Sequence, residues 1–480
     1  MVLTVLSWVA VPAWAFLPAP YGRHVTAALP DLPTTFDPSQ ASRESELQVI
    51  SLMFDTLYRL NSAGRPVAHL AELGANPEGK VWTLTLRTGV RLHDGQTLTA
   101  TQVATSLERT RKGRAGYLLA PVEGVSAAGN RIVIRLKRLT PELPWLLSAP
   151  SCGVAVSSRG RWIGSGPFRF KSWTQNGLEL AAHNEHFAGR PYIDRVRFRV
   201  FKKAADAVDF FQARKLHLSL HGTRALGRLP AHRFESVVER PTTLVYLGVG
   251  NASGRPYLAD PRFRLALLQG IDRRRLGRLA ATGNNEVAHS PVCRRLMPSK
   301  PQPPRISFDR KRANRLLAQL KDQLRELRRD VVSGRLKLNL LVDSSRPEAG
   351  MVANQLVADL DRIGIAVTID AQPAKRYESS LRNGSYQLAL AWHPVQVPRK
   401  WDGVTLAGVL AEAGQRRGAQ RCMVKRSCNA GMAKRLMKRL PLLPLVFVSA
   451  RVAYDAGLAQ PRVTAGRIAY EELYWLRGKP

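Results

Sequence analysis

From Val81 onward the chain alternates: Trp82, Leu84 and Leu86 are apolar, and Thr83, Thr85 and Arg87 are polar. A period of two places the apolar set on one side of an extended chain, which predicts a strand with one buried face. His93-Asp94-Gly95 then supplies a turn. Thr99 followed three residues later by Gln102 has the spacing of a capping box, in which each side chain satisfies a backbone N–H left unpaired at a helix start. Ala100, Val103, Ala104 and Leu107 share one face of the helix that should follow. The predicted unit is strand, turn, helix.

The same patterns extend along the chain. Residues 30–38, PDLPTTFDP, should be extended, because three prolines cannot continue a helix. Leu47, Ile50, Phe54 and Leu57 have helical spacing, whereas Ile132, Ile134 and Leu136 alternate as a strand. Val196, Phe198 and Val200 alternate with Arg195, Arg197 and Arg199, so one face of that strand carries three guanidinium groups, either a solvated face or an anion-attracting surface. Residues 242–250 form a continuous apolar strand, and Ala313, Leu316, Leu317, Leu320, Leu324 and Leu327 mark one long amphipathic helix beginning at Asp309. A strand through Leu336, Leu338 and Leu340, a helix through Val352, Leu356, Leu360 and Ile363, and a strand through Ile365, Val367 and Ile369 follow with short joints. That succession implies a right-handed crossover and a parallel pair, hence an α/β class. At 480 residues the chain exceeds one hydrophobic core and should divide into two or three domains.

Residue order narrows the assignment. Arg87, Gly89, Val90, His93, Asp94, Gly95, Leu98, Thr99, Ala100, Val103 and Ser106 stand in the order and spacing of a signature that resembles that of the family 5 extracellular solute-binding proteins, the peptide-binding components of ABC importers. Gln102 departs from it, where an acidic residue is common. Further segments are similar in the same order: Phe36-Asp37-Pro38, residues 53–58, 164–170 with Trp173, 184–194, 256–273 and 386–392. His69 stands where the family has Pro.

The resemblance implies an α/β, two-lobed periplasmic binding protein of type II, cluster C-like, with an extra small domain. Residues 16–45, 164–248 and 450–480 would form domain I, residues 46–163 the small domain II, and residues 249–449 domain III. It implies an extracytoplasmic, monomeric protein that captures a peptide or peptide-like solute by hinge closure and delivers it to an inner-membrane ABC permease, without enzymatic chemistry or a cofactor. Ligand-binding positions carried over are Tyr117, Tyr246, Trp392, His393, Gln396 and Asp402. In peptide-binding members an aspartate three residues after the tryptophan pairs with the ligand's amino terminus. Here that place is Val395, so a free-amine peptide is not the expected standard cargo. Nickel or a metal chelate is the alternative cargo, because some relatives carry one.

Charge and cysteines change the picture further. Lys plus Arg number 73 against 36 Asp plus Glu, a formal charge of +37, which favours an anionic solute or electrostatic contact with an anionic envelope. The rival classes are a basic nucleic-acid or envelope interaction protein, with clusters at residues 273–275, 310–312 and 416–417, and a ligand sensor that keeps the fold without serving a permease. No recognised nucleic-acid motif accompanies the clusters. Residues 1–15 read as a shortened secretory signal ending Ala13-Trp14-Ala15 and lacking its basic start, which places the mature protein in the periplasm; the alternative is an apolar N-terminal strand. Cys152, Cys293, Cys422 and Cys428 make no CxxC pair. Cys422 and Cys428 are a disulfide candidate in an exported protein, against four free, buried thiols. Gly164 and Gly166 suit tight backbone passage, and the GxxxxGK[ST] spacing of a phosphate cradle is absent. His183 and His186 form HxxH, and His217 and His221 are four apart, but neither pair carries the HExxH glutamate, so no metal ligand is assigned.

Overall fold

A computed structural model of the chain describes residues 21–72, 79–201, 204–219, 234–238, 243–250, 255–280, 284–291, 304–332, 336–346, 348–394, 437–449, 451–464 and 467–476. Residues 1–15, Cys293, Val395, Gln396, Asp402, Cys422 and Cys428 lie outside the described residues.

The first lobe is built on a seven-stranded sheet in the order Phe234–Val238, Arg451–Asp455, Leu218–Ser219, His24–Leu29, Arg195–Val200, Gly177–Ala182 and Phe168–Thr174. His24–Leu29 pairs in parallel with Arg195–Val200, matching Val25 to Val196 and Ala27 to Phe198. All four of these side chains are buried, as the period-2 pattern requires. Leu47, Ile50 and Met53 of the helix Glu44–Met53 pack into the same core, as do Tyr470 and Leu473 near the other end of the chain. That helix therefore belongs with the first lobe, on the far side of the boundary expected at residue 46.

The second lobe carries a six-stranded sheet in the order Asn285–Val287, Leu442–Val448, Thr243–Val249, Leu388–Pro394, Leu336–Asp343 and Ile365–Gln372. Thr243–Val249 and Leu442–Val448 are buried at every position, which is why their sequences read as unbroken apolar runs. The predicted parallel pair is present: Leu336 faces Ile365 and Leu340 faces Ile369, with the helix Ala349–Asp361 between the strands in sequence. The crossing into this lobe falls between 238 and 243, ahead of the boundary expected at residue 248.

The small module contains a three-stranded sheet, Val81–Thr85, Arg131–Leu136 and Val122–Ala128, with the helix Ala100–Lys112 packed on it. The capping box forms: Thr99 Oγ1 accepts from the Gln102 N–H at 3.3 Å, and Gln102 Oε1 accepts from the Thr99 N–H at 2.9 Å. Ala100, Val103 and Leu107 are buried in the module core.

One predicted element changes. The long helix expected from Asp309 is two helices, Arg310–Gln323 and Arg325–Val332, interrupted at Leu324 with φ −113° and ψ 110°. Neither Gly nor Pro marks the break. Tertiary contacts fix the second helix, with Leu327 in the lobe core and Tyr257 donating to Asp330 Oδ2 at 2.7 Å, and periodicity does not register such contacts.

Candidate binding cleft between the lobes

Chain direction decides which sheet edges face each other. The chain leaves the first lobe after Phe234–Val238 and returns between Leu442–Val448 and Arg451–Asp455, so two crossings join the lobes. Thr243 is paired with Pro394 and Val448. Leu388–Pro394 therefore runs toward the crossings, and its parallel neighbour Leu336–Asp343 ends on the same side. In the first lobe Leu218–Ser219 runs antiparallel to Arg451–Asp455 and parallel to His24–Leu29, so His24–Leu29 also ends there. Both lobes thus turn the carboxyl ends of parallel strands toward the junction, the edge at which open α/β sheets hold ligands.

One guanidinium spans that junction. Arg43, the residue before the helix Glu44–Met53, donates to Asp343 Oδ2 at 2.8 Å, to Glu378 Oε1 at 3.4 Å and to Ser345 Oγ at 3.2 Å, all in the second lobe. It also donates to Asp31 of its own lobe. Arg43 is only 6% exposed and Asp31 2%. Burial by itself lowers the Arg43 pKa, but the Asp31 and Asp343 carboxylates outweigh it and hold the guanidinium charged, above its ordinary value. The small module joins the network, because Arg114 donates to Glu378 Oε2 at 3.1 Å. Burial and the neighbouring Glu46 raise Glu378, while Arg114 and Arg43 pull it back. Arg346, one residue beyond Ser345, pairs with Glu348 at 3.1 Å and lies 4.9 Å from the centroid of the Trp392 ring.

The sequence candidates are distributed unevenly around this junction. Tyr117 lies on the short helix Arg114–Tyr117 whose Arg114 reaches Glu378, and is half-buried against the small-module core. Trp392 is half-buried beside Arg346, and its indole N–H has no hydrogen-bond partner among the described residues. His393 pairs with Leu244 and Tyr246 with Ala391, which puts His393 and Tyr246 on one face of the sheet. Trp392, opposite Val245, is on the other. Tyr246 is wholly buried and His393 nearly so. Sequence reasoning passed over Arg43, Asp343 and Glu378, and it read Arg114 as part of a solvent-facing basic run, residues 109–114, whereas Arg114 is mostly buried and paired with Glu378. They sit outside the apolar periodicities, and partners about 300 residues apart leave no local pattern.

The arginine face on Arg195–Val200 is largely engaged within the lobe. Glu179 accepts from Arg197 at 2.8 Å and Lys171 at 2.8 Å and lies 3.7 Å from Arg195, while Arg199 stands 4.6 Å from the Phe210 ring centroid. Cys152 is a free, fully buried thiol whose pKa burial pushes up to about 12, which makes it unreactive at neutral pH.

A second polar cluster lies where the first lobe meets the small module. Asp55 Oδ1 is 2.9 Å from His69 Nε2, Asp55 Oδ2 is 3.3 Å from His186 Nε2, and Ser165 Oγ donates to Asp55 Oδ2 at 2.8 Å. Burial alone would raise the Asp55 carboxyl, but the charge of His69 and hydrogen bonds from His186 and His69 hold it well below the usual carboxylate range. The HxxH pair is split in role, since His183 Nδ1 faces the Gly166 carbonyl at 3.1 Å while His186 turns to Asp55. Gly164 and Gly166 make the tight passage their size suggests. A Cβ on Gly164 would lie 2.2 Å from the Met53 carbonyl oxygen, and one on Gly166 2.4 Å from the Met53 carbonyl carbon. No helix among the described residues is long and apolar enough to cross a membrane.

The model of the bacterial extracellular solute-binding proteins, family 5, matches residues 65–406. The oligopeptide-binding protein AppA of Bacillus subtilis is 25% identical over 312 residues, 60% of this chain and 57% of AppA's own length. The structure of AppA in complex with a nonapeptide superposes with a TM-score of 0.78 at 17% identity, covering 96% of this chain and all of AppA's. The structure of NikA from Staphylococcus aureus in complex with Ni(L-His)2 gives the same TM-score at 19% identity, covering 95% and 100%. These likenesses to solved structures establish a shared fold.

Proposed function

Because this chain belongs to family 5 of the bacterial extracellular solute-binding proteins, we propose that it captures a peptide or peptide-like solute between its lobes, outside the cytoplasm, and presents the closed form to an ABC permease. The observation that carries this reading is Arg43, which reaches across the junction to Asp343, at the carboxyl end of its strand, and to Glu378 on the helix Ala374–Asn383. Separation of the lobes at this point would break the contact, so it favours the closed form over an open one in a hinge motion. In this reading binding free energy drives the equilibrium. Trp392 and Tyr117 supply aromatic surface beside Arg346 and Arg114, a suitable lining for a solute with both apolar and anionic parts. The formal charge of +37 adds long-range attraction for acidic cargo.

Native mass spectrometry of the protein purified from its own cell envelope tests the reading. A retained small molecule of peptide mass, and compaction in small-angle scattering when it is returned to stripped protein, are the expected results. A chelated metal in its place would transfer the proposal to the alternative cargo. Stripped protein that neither retains a solute nor compacts with any member of a peptide panel spanning acidic to basic charge would overturn it.

A further inference from the structure

We infer that Asp55, His69 and His186 form a binding site for one divalent transition-metal ion of the zinc or nickel class, at the junction of the first lobe and the small module. This inference stands apart from the cleft reading and does not depend on it. The three side chains come from distant segments: Asp55 follows the helix Glu44–Met53, His69 follows the strand Pro66–Ala68, and His186 follows the strand Gly177–Ala182. One ligand atom from each lies within 4.8 Å of the others. Two ligands bonded at about 2.1 Å to a tetrahedral ion are about 3.4 Å apart. His69 Nε2 stands 2.9 Å from Asp55 Oδ1 and His186 Nε2 3.3 Å from Asp55 Oδ2, so the imidazoles face different oxygens of the carboxylate, and separations of up to 4.8 Å among the three ligand atoms must close by as much as about 1.4 Å to reach that tetrahedral spacing.

The surroundings orient these groups as ligands. His186 Nδ1 is 3.2 Å from the Gly189 carbonyl oxygen, which can only accept, so Nδ1 carries a proton. Nε2, the atom that faces Asp55, donates its own proton to the carboxylate, so a metal ion must displace that proton to take the Nε2 lone pair. Ser165 donates to the same carboxylate and fixes its plane. A donor set of two imidazole nitrogens and one carboxylate oxygen suits zinc, nickel or copper rather than calcium or magnesium, which take oxygen ligands. Asp55, His69 and His186 also line a cavity of about 510 Å³, which supplies an entry path and room for a fourth ligand. Arg59, Arg190, Arg462 and Arg467 share the lining with Glu471 and Glu472, and Arg190 and Arg462 are paired with Asp194 and Glu472, so the fourth position is open to water or to a small anion.

The test uses the full chain without a histidine tag, stripped with a chelator and titrated calorimetrically with Zn2+ alone and with Ni2+ alone. Saturable binding of one equivalent is expected, weakened at least tenfold in His69→Gln and in His186→Gln and unchanged in His24→Gln. Cobalt bound to the unaltered protein supplies a readout that survives misfolding of a variant. Intense visible bands of four- or five-coordinate Co2+ support the site, and faint octahedral bands overturn it. Absence of saturable binding, or equal binding in both folded histidine variants, would show the cluster to be a hydrogen-bonded Asp–His pair that takes no metal.

Discussion

Asp343→Asn tests the junction with the smallest change of shape. Asp343 Oδ1 accepts from the Ser345 N–H at 3.0 Å, within the second lobe, while Oδ2 accepts from Arg43 across the junction at 2.8 Å. An asparagine has one acceptor for these two donors. If its oxygen stays with Ser345, its amide group opposes the Arg43 guanidinium, and if it flips, the Ser345 N–H loses its partner. A hydrogen bond to a charged group contributes about 1.5–3 kcal/mol. At about 1.4 kcal/mol per factor of ten, the closed-to-open ratio would fall by about 10- to 150-fold. Two effects move the outcome toward the lower end. Closure no longer desolvates the Asp343 charge, and Asp31 and Glu378 still hold Arg43. We expect roughly a tenfold loss of apparent cargo affinity, because affinity scales with the closed fraction. Calorimetry with cargo eluted from envelope-purified protein measures it, with scattering as the gauge of compaction. Combining the variant with Arg43→Met in a double-mutant cycle isolates the pair. Affinity within twofold of the parent, or a loss matched by an equal loss of apo stability, would refute the reasoning.

Three further predictions follow from the same structure. Trp392→Ala should reduce the ligand-induced rise in Tm far more than the apo Tm, and comparable losses in both would assign the ring to the core. Gly166→Ala should lower stability by about 1–3 kcal/mol or more in chemical denaturation, since the new methyl meets backbone of Leu52 and Met53 rather than a side chain that can move. His93 is held neutral, its pKa pushed by burial from 6.5 down to about 4, so the unfolded chain binds the extra proton between those values. Its contribution is complete above pH 6.5 and is lost as pH falls toward 4, at most about 3 kcal/mol in all. His93→Gln should remove that acid-side component from denaturation measured across pH 4–7, and an unchanged slope would show that His93 does not cause it.

How much of this was legible in the sequence follows from the range of each interaction. The strand, turn and helix from Val81 to Lys112, with the Thr99–Gln102 capping box, were readable because hydrogen bonds and burial there repeat over two to four residues. The parallel pair around Ala349–Asp361 was readable because short connections leave one handedness. The family signature carried the two-lobed architecture. The break at Leu324 was hidden, since Leu320 and Leu327 keep helical spacing across it, and contacts that hold the second helix, such as Tyr257 to Asp330, are not local. The bridging charges were hidden too: among so many arginines, Arg43 and Arg114 carry no mark that separates them from solvated ones. His69 offered a faint signal as a departure from the family pattern. Its meaning appears only when folding sets it beside Asp55 and His186.

The strand Arg451–Asp455 is inserted in the interior of the first lobe's sheet, between Phe234–Val238 and Leu218–Ser219, although it follows every strand of the second lobe in the chain. The strands of the second lobe, from Thr243 to Val448, are by contrast supplied by one continuous stretch. While the second lobe is being made, the earlier-begun lobe therefore has a gap in its sheet and exposed strand edges, the condition under which chains misassociate or recruit chaperones. The order in which the chain is made is thus the reverse of the order in which its lobes become complete.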